Sequence, residues 1–345
     1  MRSRPSQSLR ACHPLPLQAM TDKPKRKRRW WLTLLKLAVV VAVCYAVHGT
    51  VREALEHLGE YKWQLHFGWF ALALVLYGVA WLPMAWFWWE TLAALGQRFD
   101  SLSAFYAYYV GHLGKYVPGK ALVVVIRIGL LPQRRISIRL GIASVLLETL
   151  TLMSVGAVLA AVLSLFVLRH DLRFSVAAAI AAIVVGLPTV PVITRRLLRR
   201  LEARQIIELD AGEETPAEQS LLEHQVTGRL LANGWIASTL CWIVLGWSLW
   251  ATLRAIGVAE VHPFVHLPVL VAASALAIVA GFLSMLPGGL VVRDALLMQL
   301  LAPVCGEPDA LVAAALWRLV SVLSEVIFCV ILEVAKRRFP LTPDA

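Results

Sequence analysis

The sequence predicts an all-α polytopic membrane bundle, with about six full spans and two re-entrant Pro-Gly hairpins in an inverted-repeat arrangement. Three observations predict it. Apolar residues come as unbroken runs: Trp30–Val47, Phe67–Trp89, Leu140–Leu168, Phe174–Ile193, Trp235–Leu253, His266–Leu286 and Leu311–Ala335. A helical run of about 18 residues or more crosses a hydrocarbon layer of ~30 Å at roughly 1.5 Å per residue. Composition agrees, because the 345 residues are 59% hydrophobic and 16% charged, where a soluble domain carries about a quarter charged residues. Finally, the basic residues behind the net charge of +11 stand beside the ends of the runs, at Lys23, Lys25–Arg29, Arg134–Arg139, Arg195–Arg204 and Lys336–Arg338. That placement follows the positive-inside rule and excludes nucleic acid as the partner, since no basic–aromatic module accompanies the charge.

Along the chain, Met1–Ala19 has no apolar core and is not a secretory signal, so residues 1–29 read as a disordered basic tail, with Met20 an alternative start to Met1. The basic end sets the N-terminus in the cytoplasm and sends the first span outward. Loop Gly49–His66 is then external, and the second span returns through Trp86, Trp88 and Trp89, read as a lipid-facing interfacial belt. Leu102–Leu131 is two half-length apolar pieces separated by Pro118-Gly119. Proline ends a helix and glycine permits the turn, so the piece reads as a re-entrant hairpin open to the cytoplasm. Leu140–Leu168 goes out and Phe174–Ile193 comes back. Residues 195–231 form the one sizeable cytoplasmic loop, basic at Arg195–Arg204 and acidic over Glu208–Glu223. Trp235–Leu253 crosses outward. A second hairpin follows, Val265–Met285 and Leu290–Pro303 around Leu286-Pro287-Gly288-Gly289. Because Leu311–Ala335 ends in Lys336-Arg337-Arg338, that hairpin enters from outside and the C-terminus is cytoplasmic. Residues 30–338 are thus one membrane domain and 339–345 a tail. The five cysteines are isolated, with neither CxxC nor Cys/His spacing, so no disulfide framework, metal or other cofactor is expected.

Ionisable residues inside spans need a reason, because each costs several kcal/mol unless paired or solvated. Ser144, Glu148 and Thr151 fall at i, i+4 and i+7, on one helical face. Arg318, Ser321 and Glu325 fall at i, i+3 and i+7, again one face. With the hairpin residues Lys115, Lys120, Arg127, Arg293 and Asp294 they outline one central polar site. Two readings of the charges stand side by side. In one, Glu148, Glu325 and Asp294 only neutralise cations and fix helix packing. In the other, the cationic excess at Lys115, Lys120, Arg127, Arg293 and Arg318 holds an anion, a phosphate above all, with Glu148 and Glu325 free to carry protons. Half-helix N-termini at the breaks favour the same anion. Gly119, Gly288 and Gly289 are explained first by the sharp turn.

These residues also carry a likeness. Lys115-Tyr116-Val117-Pro118-Gly119-Lys120 followed by Arg127, then Leu286-Pro287-Gly288-Gly289-Leu290-Val291-Val292-Arg293-Asp294, then Trp317-Arg318-Leu319 with Glu325, resemble the lysylphosphatidylglycerol synthase transmembrane (flippase-like) family over roughly Trp30 to Arg338. The resemblance implies a helical bundle with two re-entrant elements around a central cavity, and movement of a polar lipid between leaflets. Some members fuse this region to a soluble aminoacyl-transferase; the chain stops seven residues after Arg338, so synthase activity is not expected. The chain departs from the pattern twice, with the wholly apolar Ala121–Ile126 where many members carry an acid, and with Asp294 where Glu is usual.

The expectation is therefore a non-enzymatic lipid transporter of a bacterial inner membrane, taking an anionic or zwitterionic head group and running without ATP, as no GxxxxGK[ST] occurs. Its rivals are a membrane-embedded transferase, which needs Glu148, Asp294 or Glu325 as base, and a scaffold that binds a soluble lipid-modifying enzyme through residues 195–231. Substrate identity, transport direction, energy source and oligomeric state are not legible in the sequence.

Overall fold

The computed structural model describes residues 65–116, 121–131, 137–167, 193–194, 196, 224–284, 286–289 and 291–338. Expectations for residues 1–29 and 339–345, the spans at 30–47 and 174–192, most of the 195–231 loop, and Pro118, Gly119 and Lys120 lie outside these residues. The described part is helical throughout, with no strand: α1 (Phe67–Ala80), α2 (Leu82–Ala94), α3 (Ser101–His112), α4 (Ala121–Leu130), α5 (Ile138–Val167), α6 (Gly228–Ala255), α7 (Leu267–Leu283), α8 (Val292–Cys305) and α9 (Glu307–Arg338).

Four stretches are long and apolar enough to cross a membrane: Phe67–Ala94, Ile138–Leu163, Gly228–Ala255 and Glu307–Arg338. They match four of the expected spans, and about half of each apolar stretch is left outside the protein core. Val75, Ile236, Leu240, Val330 and Ile331 all point outward. In water such a surface would be an aggregation hazard, and in lipid it is the normal exterior.

Helix ends follow local chemistry. Asp100 caps α3 by accepting from the Ser103 N–H at 2.6 Å, and the Thr227 hydroxyl does the same for Leu230 at the start of α6. Pro83 and Pro268 stand in the first turns of α2 and α7, where a missing N–H costs nothing. Acidic Glu307 and Asp309 open α9 and Lys336–Arg338 close it, both favourable to the helix dipole.

Helix α6 is the hub, packed against α1, α2, α5, α7 and α9. Lipid is as apolar as leucine, so close packing and hydrogen bonds must hold such helices together. Ser248 donates to the Ala73 carbonyl at 3.0 Å, Ser324 to the Leu74 carbonyl at 2.7 Å, and the Trp242 indole to the Leu152 carbonyl at 3.2 Å. Trp88, expected to face lipid, is instead fully buried, its indole N–H donating to Ser144 at 3.0 Å. Only Trp86 of that cluster is strongly exposed. An indole with a polar partner across the helix gains more from the interior than from the interface.

Helices α3 and α4 pack on each other through a 3₁₀ turn, Leu113–Tyr116, and α7 and α8 pack on each other through a second, Pro287–Gly289. The two turns touch: a Cβ on Gly288 would meet the Tyr116 ring and the Arg318 guanidinium. Gly288 and Gly289 both take positive φ, at 58° and 68°, and Gly289 lies against the backbone of Gly281. No larger residue fits that contact. Val291 follows at φ 66° and ψ −57°, a rare and strained γ-turn geometry. Such strain in a non-glycine residue costs about 1–3 kcal/mol. Val291→Gly should therefore hold or raise the thermal midpoint in detergent, whereas Ala295→Gly, inside α8, should lose about 1 kcal/mol. Equal losses would show that Val291 carries no strain.

Candidate functional site

Both turns contribute to the wall of a cavity of ≈ 210 Å³, in which Tyr77, Trp81, His112, Lys115, Arg127, Glu148, Gly288, Gly289 and Arg293 stand beside apolar residues such as Val124, Val145, Leu152 and Ile278. Every charge expected near the centre and described here lies in or behind it. Glu148 projects from α5 on the same face as Ser144 and Thr151, all three buried. Arg127 comes from the short helix α4, whose stem packs over Gly111 of α3. Arg293 sits in the first turn of α8, directly after the strained Val291. Arg318, Ser321 and Glu325 line the inner face of α9, each no more than 2% exposed.

Three ion pairs tie these elements together. Arg127 Nη1 donates to Glu148 Oε2 at 2.7 Å, linking α4 to α5. Lys115 Nζ reaches Glu325 Oε1 at 2.5 Å, linking the 3₁₀ turn after α3 to α9. Arg318 Nη1 donates to Asp294 Oδ2 at 2.6 Å, linking α9 to α8. Tyr108 adds its hydroxyl to Glu148 Oε1 at 3.0 Å, and Tyr77 its own to Glu325 Oε1 at 3.4 Å. Such charge-assisted bonds are what makes a carboxylate tolerable in a medium without water. Arg318, Asp294 and Glu325 lie behind the cavity rather than in its wall.

Arg293 differs. It is 5% exposed, has no carboxylate partner among the described residues, and lays its guanidinium over the Trp317 ring at 4.7 Å. Its Nε and Nη2 are buried with no hydrogen-bond acceptor. Among the described residues of this cluster, Arg127, Lys115 and Arg318 each hold an acid and Arg293 does not. Lys120, Pro118 and Gly119 fall outside the described residues, and Pro287 opens the second 3₁₀ turn.

The sequence reading missed the aromatic wall. The Arg127 guanidinium lies 4.0 Å from the Tyr108 ring centroid and 5.3 Å from that of Trp88, and Lys115 Nζ stands 5.7 Å from Trp81 and 5.1 Å from Tyr116. His112 stacks on Tyr108 and meets Trp81 at a tilt, with Nε2 3.8 Å from Glu325. One signal was available: Tyr108, His112 and Lys115 stand at i, i+4 and i+7, the same facial spacing that exposed Glu148. For Trp88 and Trp317 no local signal exists.

Long apolar helices enclosing a buried, ion-paired cavity define a multi-pass helical membrane protein. The chain belongs to the Lysylphosphatidylglycerol synthase TM region family, which it matches over residues 33–329. That membership puts it among membrane proteins of lipid modification or transport. No curated protein matches it.

Proposed function

We propose that this protein moves a phosphate-bearing lipid head group between leaflets, through the cavity that Arg293 lines, without catalysing a reaction. The observation that carries the reading is the unpaired, buried guanidinium of Arg293 in the wall of a cavity. A guanidinium deprived of both water and acid is expensive to keep unless something else supplies acceptors. A cavity of ≈ 210 Å³ has room for a head group, and in this reading the tails stay in the bilayer while the polar part crosses. The family supports a lipid as the cargo. A transferase would need a free base, and Glu148, Asp294 and Glu325 are all bonded to cations.

In this reading α3–α4 and α7–α8 are re-entrant hairpins that enter from opposite sides, six full spans surround them, and both chain ends face the cytoplasm from the inner membrane. The partners are membrane lipids. Opening requires the touching turns to separate; the Lys115–Glu325 pair joins the first hairpin to α9 and is the contact to release. Movement is then either downhill or coupled to protons or to the membrane potential.

The test is a leaflet-exchange assay in proteoliposomes with a labelled phospholipid. Wild-type protein should accelerate exchange, and Arg293→Gln should slow it by about 10- to 100-fold, the loss of one charged hydrogen-bonding partner of about 1.5–3 kcal/mol. Unchanged exchange in Arg293→Gln removes the site; no acceleration by folded wild-type protein removes the transport reading.

A further inference from the structure

Of the three acids in the cluster, one is placed to lose its cation. Glu148 is engaged on both oxygens, Oε1 by the Tyr108 hydroxyl and Oε2 by Arg127 and Thr149. Glu325 is engaged on one: Lys115 and Tyr77 both bond Oε1, and Oε2 is buried with no partner. Asp294 also has an open oxygen, but its partner Arg318 belongs to the long span α9 and is 2% exposed. Lys115 stands instead on a four-residue 3₁₀ turn with 25% of its side chain exposed, against 3% for Arg127. A lysine holds by one ammonium on a flexible stem, where an arginine holds by a rigid fork. The Lys115–Glu325 pair is therefore the one of the three most readily parted.

Parting has a consequence for the acid. Glu325 is 1% exposed, and a buried carboxylate stripped of its cation takes a proton rather than stand as a bare charge. The phenols that act on it, Tyr77 of α1, Tyr109 of α3 and Tyr116 of the turn, are neutral. Arg293 of α8 is the cation that still acts on Glu325 once Lys115 has gone, and it opposes the proton until an anion engages it. Arg318, on α9 itself, is held by Asp294, and Cys241 of α6 acts on Tyr77. His112 Nε2 lies 3.8 Å from Glu325 Oε1 and is buried without a partner, so it can accept a bond from the new O–H. The imidazole is a poor seat for the proton itself, since burial and the cations Lys115, Arg127 and Arg293 all disfavour a charge there.

Resting on the transport reading for the event it accompanies, we propose that Glu325 is the proton-carrying group of this protein. When Lys115 leaves, Glu325 takes one proton on Oε2 from the water that enters with opening, and returns it when the pair re-forms. The carboxylate becomes a carboxylic acid whose O–H turns to His112 Nε2; no other covalent bond changes, and Lys115 keeps its charge. A phosphate in the cavity draws on Lys115 and Arg293 as donors. It thereby neutralises the two cations that keep Glu325 ionised. Anion entry and proton uptake each favour the other by the same factor. Glu148, with both oxygens engaged, carries no proton.

The test reads leaflet exchange of a labelled phosphodiester lipid in proteoliposomes, with equal pH on both sides. The lipid keeps its single negative charge from neutral to mildly acidic pH. Over that range the wild-type rate should rise about tenfold for each unit of pH lost, the dependence of a step that needs one proton. Glu325→Gln, fixed in the shape of the protonated acid, should exchange at a rate independent of pH. Lys115→Met removes the cation outright. Its infrared spectrum in neutral micelles should show a protonated-carboxyl band that is missing from wild-type protein and from Lys115→Met/Glu325→Gln. A pH-independent wild-type rate overturns the proposal, as does a slope that survives in Glu325→Gln or a Lys115→Met spectrum without the band. Should Lys115→Met not fold, the wild-type slope and its loss in Glu325→Gln decide. The two readings fail separately. Exchange that ignores pH removes only the proton site, whereas folded protein without exchange at any pH removes transport and leaves the infrared band to decide the proton site.

Discussion

Glu148→Ala should destabilise the protein by about 3–5 kcal/mol, the usual consequence of removing one partner from a buried ion pair. Arg127 and Glu148 are both almost fully inaccessible, and the distance between them is 2.7 Å. Truncating the acid leaves a buried guanidinium against Tyr108 and Trp88 without the oxygen it was bonded to. It also orphans the Tyr108 hydroxyl. The double variant Arg127→Met/Glu148→Leu should regain most of the loss, since apolar residues of similar volume often serve as well as a buried pair. Reversible unfolding in mixed micelles would measure both. A loss below about 1 kcal/mol for Glu148→Ala would mean that the pair is solvated and contributes as surface pairs do. The same variant frees a second cation in the cavity wall, so head-group affinity need not fall in step with stability.

Asp294→Asn is expected to separate stability from binding even more cleanly. The carboxylate bonds Arg318 at 2.6 Å, and Arg318 is 2% exposed. The amide keeps the shape and loses the charge, so α9 retains a buried guanidinium with a weakened partner and stability should drop by about 3 kcal/mol, the low end for a broken buried pair. Yet Asp294 is also the sequence neighbour of Arg293 and the nearest negative charge to it along α8. Its neutralisation should raise affinity for an anionic head group by at least about tenfold, the effect of one unit charge roughly 12 Å away at an effective dielectric near 20. Thermal unfolding and calorimetry on the same preparation would show the two opposite changes. A fall in both would mean that Asp294 takes part in binding, for instance by orienting the head group, and would remove the purely repulsive role assigned to it.

Much of this architecture was legible in the chain itself. Spans at Phe67–Trp89, Leu140–Leu168, Trp235–Leu253 and Leu311–Ala335 follow from run length and composition, because in hydrocarbon a helix must satisfy its own backbone and every side chain facing lipid must be apolar. The breaks at Pro287-Gly288-Gly289 follow from φ restriction and the missing proline donor, and the structure finds both glycines at positive φ. The inward faces of α5 and α9 follow from the spacing of Ser144, Glu148 and Thr151 and of Arg318, Ser321 and Glu325, because a polar stripe on an apolar helix has only one tolerable direction.

Pairing was not legible, because it joins residues far apart in the chain and identical in local pattern. Lys115 meets Glu325 across 210 positions, while Arg127 takes Glu148 and Arg318 takes Asp294. From composition, any cation could have claimed any acid. Nor could Trp88 be told from a lipid-facing anchor, since an apolar helix buries either face against protein or lipid at nearly equal cost, and only the serine opposite decides. The sequence by itself therefore determined that this is a multi-pass helical protein with charge at its centre, since hydrophobicity and helical period act locally. Only the tertiary structure decided which charge is left without a partner, since that depends on which helices touch.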